Sequence, residues 1–225
     1  MPTLVESSFA MGERTGDDEP ILFARPRQWD AWLAKHHASS SGVWVRLAKK
    51  DSGIESITRL QAVEGALVWG WIDGQARPEG ETSWLQRFTP RRPRSPWSKI
   101  NRGKAEELIA SGKMKAPGLA EVERAKADGR WDAAYDSPRN ATVPDDLARA
   151  LAANARASKF FETIDAANRY AILHRIHAAK KPDTRAARIA KFVEMLAKHE
   201  TIHAPRAKKA TKAKSPGPRT KRGPA

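Results

Sequence analysis

Apolar residues recur at helical spacing through the C-terminal half of the chain. The clearest predicted helix runs from Asp183 to Lys198, where Ile189, Phe192, Val193 and Leu196 follow the i, i+3, i+4, i+7 pattern of one buried face. Helix start and stop signals predict five more helices, at residues 99–111, 117–128, 144–153, 156–164 and 165–179. This half is therefore predicted to be helical, apart from a loop around residues 131–144.

The N-terminal half mixes helical spacing with alternation. A helix is predicted from Pro26 to His37, and the alternating run VWVRLAK at residues 43–49 predicts a strand. Thr58 and Gln61 match a capping box, which predicts a second helix from Arg59 to Trp69 that stops at Gly70.

Two short strands are predicted next, WIDGQAR and TSWLQRF, on either side of the turn-like PEGE. Pairing Arg77 with Thr82 would place one set of side chains on a common face of this hairpin: Trp71, Asp73, Gln75, Trp84, Gln86 and Phe88. The predicted fold class is α+β. We expect a predominantly helical protein with a small antiparallel β-sheet in the N-terminal half and a helical C-terminal half.

Length and composition predict one domain between two tails. A chain of 225 residues has room for a domain at residues 20–200, a disordered N-terminal segment at 1–19 and a disordered basic tail at 201–225. The tail holds eight Lys and Arg residues, no acid and no large apolar residue after Ile202, so it cannot join a packed core. The whole chain has a net charge of +15, and residues 20–200 are basic in their own right.

Cysteine is absent from the sequence, which excludes disulfides, thiolate chemistry and cysteine-based zinc sites. No apolar run approaches the roughly 20 residues of a membrane span, and the N-terminus lacks the pattern of an export signal. We therefore expect no transmembrane segment and a cytoplasmic protein.

The most distinctive stretch lies between Gly70 and Asn101, where three tryptophans accompany five arginines. Prolines at 90, 93 and 96 have the period of polyproline II, which predicts an extended arm with Arg91 and Arg94 on one edge and Arg92 and Ser95 on another. Ser98 is the predicted N-cap of the following helix, and a helix N-terminus favours anions.

An Arg/Trp-rich surface that binds an anion is therefore predicted. The alternative is that the arginines stack on tryptophans and cap helix ends in a structural role. The candidate ligand-binding residues are Trp71, Asp73, Arg91, Arg92, Arg94, Ser95, Trp97, Ser98 and Asn101.

A second basic patch surrounds the start of the last helix. It consists of Lys180, Lys181, Arg185 and Arg188. The patch is a candidate second anion contact, and the alternative is a solvated helix face.

Catalytic and metal-binding patterns are weak. Asp73 is the one candidate general base, since an apolar setting raises the pKa of a carboxyl group, and the alternative is a turn carboxylate that accepts backbone hydrogen bonds. His174 and His177 are three residues apart on a predicted helix but lack a further ligand at matching spacing. We predict neither a metal nor a cofactor.

Five motifs follow one another in a fixed order: GWIDGQ, FTPRRPRSPWSKIN, GLAEVERAKADGRWDAAYDSP, VPDDLARAL and AAKKPDTRAARIAKFVEML. In that order they resemble the YdeI/OmpD-associated family of bacterial proteins, whose family label is bacteriocin protection. The resemblance covers about residues 21–200. It implies a small, cytosolic, mostly helical protein with a short sheet, linked to tolerance of bacteriocins or cationic antimicrobial peptides.

The resemblance brings no catalytic residues with it. It carries over motif positions only, which are Gly70, Trp71, Ile72, Asp73 and Gly74 in the first motif and Thr89, Pro90, Arg91, Arg92, Ser95, Trp97, Ser98 and Asn101 in the second.

Three functions stay open at this point. The first is a non-enzymatic protection or stress protein whose Arg/Trp-rich surface binds an anionic small molecule or an acidic partner. The second is a nucleic-acid-binding protein that uses residues 201–225 and the basic body. The third is an enzyme with Asp73 as its general base.

Overall fold

The computed structural model describes residues 19–204, and the chain divides into two compact units at Arg139 and Asn140. Each unit has a hydrophobic cluster of its own. The sequence predicted a single domain at residues 20–200, and this division into compact units does not test that prediction. Disorder was predicted for residues 1–19 and 201–225. Of these, residues 1–18 and 205–225 lie outside the described part of the chain.

The first unit combines a four-stranded sheet with four helices. Its elements are β1 (Ile21–Leu22), α1 (Pro26–His36), β2 (Val43–Ala48), α2 (Arg59–Val68), β3 (Trp71–Glu79), β4 (Ser83–Pro90), α3 (Lys99–Ala110) and α4 (Ala116–Ala127). The strand order is β1-β2-β4-β3. The pairs β2–β4 and β3–β4 are antiparallel, but β1 pairs with β2 in parallel, so the sheet is mixed. The α+β class is confirmed, and the antiparallel description needs this correction.

The hairpin register predicted from the sequence was wrong. Arg77 pairs with Leu85, not with Thr82, because β3 continues to Glu79, which pairs with Ser83, before the chain turns at Gly80. A bulge between Asp73 and Ala76 then shifts the register by one residue toward Trp71. The bulge has a buried partner, since the Gln86 side chain donates from Nε2 to the carbonyl oxygens of Gly74 (2.9 Å) and Gln75 (3.2 Å). A bulge places two residues opposite one, so a uniform ladder misassigns every later pair.

Tryptophans fill much of the core of the first unit. Trp29 is 1% exposed and donates from Nε1 to the carbonyl oxygen of Ala62 at 3.0 Å, which fastens α1 to α2. Trp32 stacks on Trp29 with ring centroids 5.5 Å apart and meets Trp71 edge-on at 5.8 Å. The apolar face of the sheet therefore packs on an aromatic layer rather than on aliphatic side chains alone.

The second unit is a set of four helices. They are α5 (Asp145–Ala152), α6 (Ala155–Thr163), α7 (Ala166–His177) and α8 (Pro182–Ala197). Ile189, Phe192 and Leu196 of α8 are buried against Leu147, Phe161, Ile172 and other apolar residues of the neighbouring helices. The predicted buried face of α8 is thus confirmed, with Val193 partly buried beside it.

Candidate anion-binding sites

The arm at residues 90–98 is bent, which corrects the predicted polyproline edge. The backbone N–H of Ser95 donates to the carbonyl oxygen of Arg92 at 2.9 Å, and the backbone N–H of Arg92 donates to Ser95 Oγ at 3.1 Å. These bonds close a turn over Pro93 and Arg94, since proline suits the second position of a turn and serine its ends. Arg92 and Arg94 are exposed, whereas Arg91 points inward and is buried.

Arg91 is the residue of the arm that enters the protein. It is 4% exposed, its Cζ lies 3.6 Å from the centroid of the Trp97 ring, and its Nη1 donates to the carbonyl oxygen of Pro96 at 3.4 Å. Burial lowers the pKa of Arg91 to about 10, and the negative charge of Glu121 offsets part of that effect. The guanidinium is held in place by a ring face and a carbonyl, as in the structural alternative.

Arg130, which the sequence did not single out, lies beside Arg91. Arg130 is 8% exposed, its Nε donates to both carboxylate oxygens of Asp128 at 2.7 and 2.8 Å, and its Nη1 donates to the carbonyl oxygen of Ser95 at 2.8 Å. Trp131, the next residue, meets Trp97 with ring centroids 4.9 Å apart. The motif GRWD, a lone arginine beside a tryptophan, is the sequence signal that could have found it.

The predicted exposed tryptophans belong to the core. Trp71 is 1% exposed and donates from Nε1 to the carbonyl oxygen of His37 at 3.1 Å, and Trp97 is 2% exposed. Burying a large indole removes more apolar area from water than stacking at a surface does. The Arg/Trp-rich surface predicted from the sequence is therefore a buried cluster with two exposed arginines at its edge.

Asp73 has a charged partner rather than an apolar setting. Its Oδ2 accepts from Nη2 of Arg59 at 2.7 Å, and the chain bulges just after it. One carboxylate oxygen is thus occupied by a guanidinium, which removes the argument from an apolar environment for a general base.

The predicted N-cap is confirmed. Ser98 Oγ accepts from the backbone N–H of Asn101 at 3.1 Å. Ser98 also forms a backbone bridge with Tyr135, and the pKa of Tyr135 is raised by burial and by the negative charge of Asp73. Ser98 and Asn101 therefore have a capping role at the start of α3.

The second basic patch divides between two roles. Arg185 forms a two-pronged ion pair with Asp146, at 2.5 Å from Nε and 2.9 Å from Nη2, and its Nη1 donates to the carbonyl oxygen of Ile176 at 3.0 Å. The hydrogen bond lowers the pKa of Asp146 and raises that of Arg185. Arg185 fastens α8 to α5 and α7, so it is a structural residue. Lys180 and Lys181 are exposed in the connection between α7 and α8.

Arg188 instead faces a groove between α7 and α8. The groove has a volume of about 580 Å³ and is lined by His174, Arg175, Ala178, Arg188, Lys191 and Phe192. Arg188 donates from Nη1 to the carbonyl oxygen of Arg175, which places the two arginines side by side. The sequence analysis did not name Arg175. A hairpin of α7 and α8 with its turn at residues 178–181 is the pattern that could have indicated it as a lining residue.

The groove is positively charged, and its arginines and lysine form no ion pair within the described residues. Among the ion pairs of residues 19–204, none joins a carboxylate to Arg175, Arg188 or Lys191. Partial burial lowers the pKa of His174, and the charges of His177 and Arg175 lower it further. An anion is the species whose binding such a groove favours.

The described residues contain neither a cluster of metal ligands nor a helix that could span a membrane. No three histidine, aspartate or glutamate side chains between residues 19 and 204 gather as they would around a metal ion. None of the helices in this part of the chain has the length and apolar character needed to cross a membrane.

Comparison with known families divides the chain as its structure does. Residues 140–199 match the family model described as "Bacteriocin-protection, YdeI or OmpD-Associated", which confirms the resemblance for that part and indicates a bacteriocin-protection function at the level of the family. Residues 21–121, which the motifs had assigned to the same family, match another model, described as "Domain of unknown function (DUF8412)". Neither the curated proteins nor the solved structures gave a match to the chain.

Proposed function

We propose that this protein binds an anionic organic ligand in the groove between α7 and α8, without catalysing a reaction, as its part in bacteriocin protection. The observation that carries the proposal is the set of three cations, Arg175, Arg188 and Lys191, that share one groove and form no ion pair among the described residues. The groove lies within residues 140–199, the part of the chain that matches the protection family.

The lining favours a ligand that is more than a bare anion. Phe192 and Ala178 contribute apolar surface, and small-molecule sites of about 300–1,000 Å³ combine apolar walls with a few placed polar groups. Arginine side chains suit the planar or tetrahedral oxygens of carboxylates and phosphates. A carboxylate or phosphate ester with a small aromatic or apolar body therefore fits the groove.

The positive charge of the groove limits the molecules that it can bind, and so limits how protection can work. A cationic antimicrobial peptide would be repelled by Arg175, Arg188 and Lys191, so this groove does not capture such a peptide directly. Protection then acts through an anionic ligand. We propose this groove, rather than the buried tryptophans, as the site for the anionic partner predicted from the sequence.

A cellular assay tests the link to protection. A bacterial strain lacking the gene for this protein would be complemented with wild type, with the triple variant Arg175→Gln, Arg188→Gln, Lys191→Gln, or with the control Lys180→Gln, Lys181→Gln. The control removes two exposed charges from the same helix connection but leaves the groove unchanged. Survival on bacteriocin should fall with the triple variant and stay at the wild-type level with the control. Equal survival of both variants would refute the proposal.

The other sequence predictions keep their own tests. The nucleic-acid alternative depends largely on residues 201–225, most of which lie outside the described part. It is tested by comparing the nucleic-acid affinity of the full chain with that of a chain ending at Glu200. The cytoplasmic location also stays a prediction, to be tested by cell fractionation.

A further inference from the structure

Five buried polar atoms in the first unit have no hydrogen-bond partner among residues 19–204. They are Arg91 Nε, Arg91 Nη2, Arg130 Nη2, Trp97 Nε1 and Glu121 Oε2. The four residues that carry them are between 2% and 9% exposed. Buried polar groups in folded proteins are almost always paired, because an unpaired one loses its hydration without compensation. A group of five in one unit therefore points to a missing partner.

The two guanidiniums are fixed beside each other by neighbouring carbonyls. Arg130 donates to the oxygen of Ser95 at 2.8 Å and Arg91 donates to the oxygen of Pro96 at 3.4 Å. Trp97 is the next residue, and its ring lies under Arg91. Glu121 is close enough for its charge to act on Arg91, while its Oε1 is held by Arg124 at 2.9 Å. The four residues that carry the unpaired atoms are therefore neighbours, and we call them the cluster of Arg91, Trp97, Glu121 and Arg130.

The chemistry of the cluster is unequal, since four of the five atoms are N–H donors and one is an acceptor. Three of the donors belong to the positively charged side chains of Arg91 and Arg130. Of these two arginines, only Arg130 has a carboxylate within ion-pair distance in the described residues. A species rich in acceptor oxygens and negatively charged satisfies such donors better than water does, because hydrogen bonds between ionised groups are the stronger ones. The remaining acceptor, Glu121 Oε2, requires that the species also donate one hydrogen bond.

We infer that the cluster of Arg91, Trp97, Glu121 and Arg130 is a binding site for a small oxyanion that keeps one O–H group. Its oxygens accept from the guanidiniums and the indole N–H, and its O–H donates to Glu121. Hydrogen phosphate, HPO4²⁻, is the simplest ion with this pattern. The site lies in the unit that matches the domain of unknown function and is independent of the groove between α7 and α8.

The inference is tested with phosphate and sulfate on the full chain at pH 8, where phosphate is mainly hydrogen phosphate. Sulfate has the same shape and charge as hydrogen phosphate but no proton to donate. The indole N–H signal of Trp97, observed by ¹⁵N NMR, should shift saturably with phosphate, and sulfate should bind about tenfold more weakly for want of the bond to a charged oxygen. Trp97 reports on this cluster alone, so phosphate bound in the groove does not interfere.

Three variants make the test specific. Arg91→Lys keeps the charge but loses the fork of donors, so phosphate affinity should fall about tenfold, while Arg94→Lys on the exposed turn should change nothing. Glu121→Gln removes the negative acceptor and should bring the affinity for sulfate up to that for phosphate. Thermal unfolding would establish that each variant folds. Absence of any saturable shift at Trp97 with either ion would overturn the inference and leave water as the partner, as would equal affinity for the two ions in the wild-type protein.

Discussion

At the scale of single residues, close packing determines whether a substitution stabilises or destabilises the protein, which the sequence alone does not show. Gly65 and Gly103 both lie inside helices, α2 and α3, where alanine has the higher helix propensity. A Cβ on Gly65 would lie 2.6 Å from Cδ1 of Trp29, whose indole is fastened to Ala62, whereas a Cβ on Gly103 would meet nothing within 4 Å. The same substitution should therefore have opposite effects at the two positions.

We predict that Gly65→Ala destabilises the protein by about 1–3 kcal/mol, since the trapped Trp29 ring must move. Gly103→Ala should stabilise it by about 0.5–1 kcal/mol. Urea denaturation of both variants measures these differences. Stabilisation of similar size in the two variants would show that Trp29 does not pack against α2 as described.

Residue positions that depend on near neighbours were predictable, and those that depend on distant ones were not. The Ser98 cap follows from a local rule and was found, and the predicted end of helix α3 at residue 111 is followed by the left-handed Gly112. The burial of Arg91 was missed, because the turn over Pro93 redirects the arm and Arg130 enters from a loop 39 residues further along the chain.

At the scale of elements, helix bounds agree with the sequence prediction within one or two residues, because caps and apolar spacing are local signals. The predicted hairpin register was wrong, since the strands extend to a turn at Gly80 and a buried Gln86 supports a bulge that no local pattern indicates. Helix connections in the second unit depend on another long-range feature, the ion pair between Arg185 and Asp146.

We predict a pH-dependent contribution from this pair. Asp146 has its pKa lowered in the folded state, so its stabilisation is fully present above the unfolded-state pKa and is lost as the pH falls below about 4. Both side chains are about a third exposed, and screening limits the contribution to about 1 kcal/mol. Asp146→Asn should destabilise by about that much more than the exposed neighbour Asp145→Asn at pH 7.

Denaturation of both variants at pH 7 and pH 3 provides the measurement. The gap between them should shrink at pH 3, because the pH is then below the ordinary pKa of an unfolded aspartate and the stabilisation by the ion pair declines. A gap that keeps its size at low pH would mean that Asp146 contributes by packing rather than by its ion pair.

At the scale of the whole molecule, two compact units coincide with two separate family matches. The sequence predicted one domain from its length and composition, and no local signal marks a change of core at residues 139–140. The second unit has its own apolar cluster, which includes Leu147, Phe161 and Ile176.

We predict that residues 140–204 expressed alone fold cooperatively, since their apolar cluster is complete without the first unit. Thermal unfolding followed by circular dichroism should give a single sigmoidal transition, and amide NMR signals should be well dispersed. A broad, uncooperative transition would favour the single domain predicted for residues 20–200.

The groove between α7 and α8 is the feature on which the proposed function depends, and a titration of the full chain with phenyl phosphate tests it most directly. Phenyl phosphate combines a phosphate for Arg175, Arg188 and Lys191 with a ring for Phe192. Amide NMR signals of α7 and α8 should shift saturably, more tightly than with inorganic phosphate or phenol. Added salt, or glutamine at any one of the three cations, should weaken binding about twofold to fivefold. If these signals do not move, or if they respond equally in the variant that lacks all three cations, the groove is not an anion site.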